Sequence, residues 1–155
     1  MTKDLELRLV AEFPDIFQDY GGDMRTTCMH WGFSHGDGWI KVLRDLCDRL
    51  ETIRRRVGFM VGATQVKEKF GYLHFYYGYK IDPAFPPFTP EEIWAWRSVI
   101  QAIVAYAEGE SGHTCEVCGR YGRIETGDDG WDRCRCDTHR GTYESGDPLP
   151  HDEEE

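Results

Sequence analysis

Two short ligand-bearing pairs near the C-terminus constrain this chain more than any other feature. Thr114-Cys115-Glu116-Val117-Cys118-Gly119 contains a C-x2-C pair, and Cys136-Asp137-Thr138-His139 contains a C-x2-H pair. Gly119 suits the tight turn that points two thiolates at one ion, and the three-residue step from Cys136 to His139 places both on one side of the first turn of a short helix. Three thiolates and one imidazole form a closed tetrahedral shell with no position left for water. That is the donor set of one structural Zn2+ ion, with Cys115, Cys118, Cys136 and His139 as ligands. Cys134 competes with Cys136 for the third position. The two share one face of an extended segment and strain would follow if both met one small ion, so Cys136 is taken as ligand and Cys134 as a small buried residue. Four unmetallated cysteines beside a histidine would invite oxidation, and a stretch rich in Gly, Asp and Arg buries too little apolar surface to order itself, so folding of this module is expected to require metal.

The remaining chain has the material for a core. Its 155 residues are 40% hydrophobic and 14% aromatic, which predicts one compact body with a small module attached. We expect an α+β fold with two main helices packed on a small antiparallel sheet: a body over residues 1–110, a zinc-binding module over 111–143 and an acidic, solvated tail over 144–155. The opening MTKDLELRLVAEF lacks the uninterrupted apolar core of an export signal. The apolar run at 99–107 is far shorter than the roughly 20 residues a membrane helix needs. No membrane association and a cytoplasmic location are therefore expected, and in a reducing compartment the six cysteines fit metal ligation better than a disulfide framework.

Leu5, Leu9 and Phe13 recur at helical spacing before Pro14, predicting a first helix. Residues 20–38 carry five glycines among Cys28, His30, Trp31, Phe33 and His35 without a period, and read as an aromatic loop. Residues 39–56 place Trp39, Leu43, Leu46, Leu50 and Ile53 on one stripe, with Asp37 as cap and Arg54, Arg55 and Arg56 complementing the carbonyl end. Residues 62–70 and 72–79 read as two strands joined at Gly71. Alternation sends Val66, Phe70, Leu73, Phe75 and Tyr77 to the core, and Lys67, Lys69, Tyr72, His74 and Tyr76 to a basic, aromatic second face. After a proline-marked connector, Glu91 and Glu92 open a helix carrying Ile93, Trp96, Ile100, Ile103 and Ala107.

Three resemblances follow from these motifs. The C-x2-C knuckle, hairpin-sized spacer and C-x2-H turn together resemble a treble-clef zinc finger, a framework that implies a zinc site but serves nucleases, nucleic-acid binders and interaction modules alike. Phe70-Gly71-Tyr72-Leu73-His74-Phe75 resembles part of the RNP1 signature of RNA-recognition motifs, with Glu68 and Lys69 departing from it. The set Q-V-K-E-K-F-G-Y-L-H-F-Y at 65–76, T-C-E-V-C-G at 114–119, and G-W followed by C-D-T-H within 130–139 is similar to small bacteriophage and prophage proteins. That similarity implies a source in a bacterial host cell rather than an activity.

No catalytic residues are assigned. Cys28, His30 and His35 have no third group to orient them as a nucleophile and base, and Asp128, Asp129, Asp147 and Asp152 sit in glycine-rich or terminal segments that are ordinarily solvated. A nuclease of the H-N-H kind needs more finger histidines than His113 and His139. With 28 acidic against 18 basic residues, and a net charge of −10, coating nucleic acid by bulk electrostatics is disfavoured. The leading expectation is a non-catalytic, zinc-stabilised interaction protein, a phage accessory factor that binds and inhibits a host defence protein through an acidic or aromatic surface. The alternatives are nucleic-acid binding by Lys67, Lys69, Tyr72, His74 and Tyr76 with Arg120, Arg123, Arg133 and Arg135, and a metal-dependent hydrolase or nuclease.

Overall fold

The structure, a computed structural model, describes residues 1–141. The acidic tail expected at 144–155, with Asp147 and Asp152, lies outside the described residues. Among the described residues three α-helices and two small sheets make an α+β fold. Helix α1 (Lys3–Glu12) buries Leu9, and Phe13, Ile16 and Phe17 continue into the core behind it. Helix α2 (Ile40–Val57) buries Leu43, Leu46, Cys47 and Leu50, ends on Gly58 at φ 77°, and carries the three arginines in its last turn. Asp37 does not cap it. Its carboxylate instead accepts the Thr2 N–H at 2.6 Å, Trp39 stands at the N-cap, and the chain enters the helix through a 3-10 turn at Asp37–Trp39.

The hairpin is longer than alternation indicates, with β2 at Phe59–Lys69 and β3 at Tyr72–Ile81. Phe70 and Gly71 are the two turn residues, at φ 56° and 78°, the pair of positive values that a type I′ turn requires. Phe70 therefore does not face the core as expected; it is 61% exposed at the hairpin tip. A register shift between Ala63 and Gln65 inserts a bulge that moves β2 one step out of phase. Phe59, Val61 and Ala63 face inward before it, and Val66 faces inward after it.

The loop read between residues 20 and 38 contains a 3-10 turn at Cys28–Trp31 and a two-residue strand β1 (Phe33–Ser34), which pairs parallel with β2 at Val66 and Lys67. The sheet, in the order β1-β2-β3, is thus mixed rather than wholly antiparallel. Buried Glu6 anchors this segment by accepting the Phe33 N–H at 3.1 Å and the Tyr20 hydroxyl at 2.6 Å.

Helix α3 (Pro90–Ser111) starts with a full capping box between Thr89 and Glu92 and buries Ile100, Val104 and Ala107. Its last turns lie along the free edge of β3. There Ser111 Oγ accepts the Leu73 N–H at 2.8 Å and Glu108 Oε1 accepts the Phe75 N–H at 2.9 Å, so two edge donors are satisfied by side chains instead of another strand. A second hairpin, β4 (Arg123–Thr126) with β5 (Asp132–Arg135), follows. One apolar core takes residues from all three helices, the inner sheet face and Cys134 of β5. Among the described residues no helix is long and apolar enough to cross a membrane.

Candidate metal centre

The first ligand pair sits in a knuckle built by backbone hydrogen bonds. Cys115 N–H donates to Arg120 O at 2.7 Å, and Gly119 N–H returns to Cys115 O at 2.8 Å. Gly119 holds φ 74°, and a Cβ there would meet Gly38 O at 2.9 Å, so both conformation and space demand glycine. The second pair follows β5 directly: Cys136 precedes a 3-10 turn at Asp137–His139, and His139 N–H donates to Cys136 O at 3.0 Å.

These loops bring the ligand atoms of Cys115, Cys118, Cys136 and His139 to within 4.8 Å of one another. Cys118 Sγ lies 3.7 Å from Cys136 Sγ, while His139 Nδ1 lies 3.6 Å from Cys115 Sγ and 3.2 Å from Cys136 Sγ. Zinc–thiolate and zinc–imidazole bonds of about 2.3 and 2.0 Å, set tetrahedrally, require edges of about 3.8 Å between sulfurs and about 3.5 Å between sulfur and nitrogen. The cluster has the dimensions to hold one metal ion. Burial opposes ionisation of Cys136, but hydrogen bonds from the His139 ring and the Thr138 N–H outweigh it and hold this thiol down at about 6, toward the thiolate that a metal needs.

Cys134 is not part of the cluster. It is fully buried in the apolar core, and that burial, reinforced by nearby Cys115, pushes its thiol up to about 12. Among the described residues this quartet is the one grouping of three or more His, Cys, Asp or Glu with converging ligand atoms. Asp129 is instead the bidentate partner of Arg133, at 2.9 and 2.5 Å, which lowers its carboxyl to about 2. Cys28 is exposed, His30 directs Nδ1 to Gly22 O at 2.6 Å, and His35 is buried against Trp39, so these three stand apart in role and setting. His113 stacks on Tyr121 at 6.4 Å.

Sequence reasoning missed what fastens the knuckle to the body. Glu116, inside the C-x2-C pair, is only 9% exposed. Its Oε1 accepts the Gly36 N–H at 2.9 Å, its Oε2 accepts from Arg135 Nη1 at 2.8 Å, and its backbone carbonyl accepts the Gly38 N–H at 2.7 Å. Buried Trp39 donates its indole N–H to Thr114 O at 2.7 Å. Gly38 has to be glycine, since a Cβ there would lie 2.1 Å from Cys115 O. The one sequence signal for this contact was the pair of glycines flanking Asp37 beside a tryptophan, a place where two backbones touch.

Lys67, Lys69, Tyr72, His74 and Tyr76 do share one face of the β2–β3 hairpin. Of the finger arginines, Arg133 is buried against Asp129 and Arg135 against Glu116, Arg123 pairs with Glu125 at 3.0 Å, and Arg120 is exposed. Compared with known proteins, the chain matches no family model, no curated protein and no solved structure.

Proposed function

We propose that this chain is a non-catalytic interaction protein whose C-terminal segment is folded around one structural zinc ion. The observation that carries the reading is the Cys3His quartet, whose edges suit tetrahedral zinc and whose four protein ligands leave no coordination position for a reacting water. A knuckle, a hairpin and a short helical turn bearing the last ligand support a treble-clef-like module. The proposed partner is a protein of a bacterial host, an extension of the resemblance of three sequence segments to phage and prophage proteins. With its acidic balance, the chain suits a host protein that presents a basic surface.

Metal analysis and X-ray absorption on the purified protein test this. The expected result is one zinc per chain in an S3N1 shell. Cys136→Ser loses the metal, while Cys134→Ser keeps it at full stoichiometry. No stoichiometric transition metal, or a bound water oxygen in the shell, would overturn the structural-zinc reading. Chelation should unfold the knuckle and, through Glu116 and Trp39, loosen the body as well; unchanged near-ultraviolet circular dichroism after complete metal removal would contradict it. A host partner should be retained after nuclease digestion and released as salt rises, because exposed charges beyond a Debye length of about 8 Å are screened at physiological ionic strength.

A further inference from the structure

The β2–β3 sheet has two unlike faces, and the bulge creates the difference. Shifting the alternation after Ala63 brings Gln65, Lys67 and Lys69 up beside Tyr76, His74 and Tyr72, in the cross-strand pairs Gln65–Tyr76, Lys67–His74 and Lys69–Tyr72. Ser34 of β1 flanks Lys67, and Lys80 marks the far end, where its ammonium reaches Gln18 Oε1 at 2.9 Å. No position of this face on the three strands is a carboxylate, although the chain holds 28 acidic residues against 18 basic ones. Two acids border it: Glu108 of α3, at the edge, with Oε1 3.9 Å from His74 Nδ1, and Glu68 of β2, whose Oε1 accepts the Gly71 N–H at 2.7 Å.

The aromatic groups are arranged as a row. The His74 and Tyr76 rings lie 6.1 Å apart and 23° from parallel, with the Lys67 ammonium 5.6 Å from the Tyr76 ring centre. Tyr72 and Tyr76 are 41% and 42% exposed. Rings on alternate residues of one strand recur at steps of about 6.7 Å, so they form a line bordered by ammonium groups, with the Tyr72 ring packed beside Gly112 at the end of α3. An acidic peptide would satisfy the lysines but leave the rings with nothing to stack on. A duplex would offer phosphates but hide its base faces. A single strand supplies both.

We propose that this face binds single-stranded nucleic acid, with bases stacked along Tyr72, His74 and Tyr76 and phosphates held by Lys67, Lys69 and Lys80. Such stacking tolerates any base, so no sequence preference is expected. None of its residues is a metal ligand, and the proposal stands whether or not a host protein is also bound.

Fluorescence anisotropy of the full, zinc-loaded chain tests it with a labelled twelve-nucleotide oligo(dT), the same length of duplex, and an oligoglutamate peptide. The expected result is saturable binding of the single strand alone, with log affinity falling against log salt at a slope of about −2 for three phosphate contacts. Tyr76→Ala should weaken binding roughly tenfold, whereas Tyr76→Phe, which keeps the ring, should not. Lys67→Ala/Lys69→Ala should flatten the slope to about −0.7. Zinc content and circular dichroism equal to the parent's would establish that each variant is folded. No saturable binding at low salt, affinity indifferent to Tyr76→Ala, or preference for duplex or oligoglutamate would each overturn the proposal.

Discussion

Replacing Glu116 by methionine keeps most of its volume while removing the carboxylate that joins three parts of the molecule. The Arg135 side chain, 9% exposed, would be left as a buried cation without its 2.8 Å partner, and the Gly36 N–H would lose its acceptor. Breaking a buried ion pair from one side costs about 3–5 kcal/mol, and an orphaned buried donor adds about 1–3 kcal/mol. Allowing for relaxation, the loss should be about 4 kcal/mol, or about 10 °C in Tm for a chain of this size. Glu116→Met/Arg135→Met should cost less than the single change, about 1–2 kcal/mol, because only the Gly36 donor remains unsatisfied and the desolvated charge is gone. Urea unfolding in saturating zinc, followed by tryptophan fluorescence, measures both. Metal content before unfolding separates this loss from loss of the ion. A single-variant cost under 1 kcal/mol, or a double variant at least as unstable as Glu116→Met, would refute the reasoning.

Two further outcomes are expected. Phe70→Asn should raise stability by about 0.5–1 kcal/mol, because asparagine tolerates the positive φ that phenylalanine occupies at 56° and the lost ring is exposed; a destabilised variant in the same urea assay would count against the turn assignment. Burial, with a smaller contribution from the Met1 amine, pushes His35 from its ordinary 6.5 down to about 3, against a partial upward pull from its hydrogen bond to Gly36 O. Between those values the unfolded chain binds a proton that the folded one refuses, so stability is complete above pH 6.5 and falls as pH drops toward 3. From pH 7 to 5.5 the parent should lose about 1 kcal/mol more than His35→Phe, and superimposable pH profiles would show that His35 is not held neutral.

The features legible in the sequence were those encoded over short spans. The ligand quartet could be read because each pair is fixed by a three-residue step, and α2 because its apolar stripe persists through five turns. The hairpin was visible at Gly71, but phenylalanine at residue 70 concealed a turn type that asparagine would have announced. Strand β1 was hidden because two residues carry no period and their partners, Val66 and Lys67, lie far along the chain. The bulge was hidden for a related reason, since an extra residue leaves no mark on composition and only changes which neighbours share a face. Arg133 and Arg135 were misjudged, and Glu116 passed over, because a charged residue is exposed by default and its burial depends on a partner that spacing does not reveal. Asp37 looked like a cap because of its chemistry and position, yet the Thr2 N–H claimed its carboxylate.

The contact between the glycine loop and the knuckle also sets an order of events during synthesis. Gly36 and Glu116 are 80 residues apart in the chain, and Trp39 and Thr114 are 75 apart. At a ribosomal rate of about 5–20 residues per second, Gly36 emerges roughly 4–16 s before the carboxylate that will receive it. Through that interval the Trp39 indole has no carbonyl to meet, and the nascent polypeptide holds an aromatic docking site open. The quartet that could hold a metal ion is completed later still, with His139, so the candidate metal centre is the last part of this contact to be synthesised.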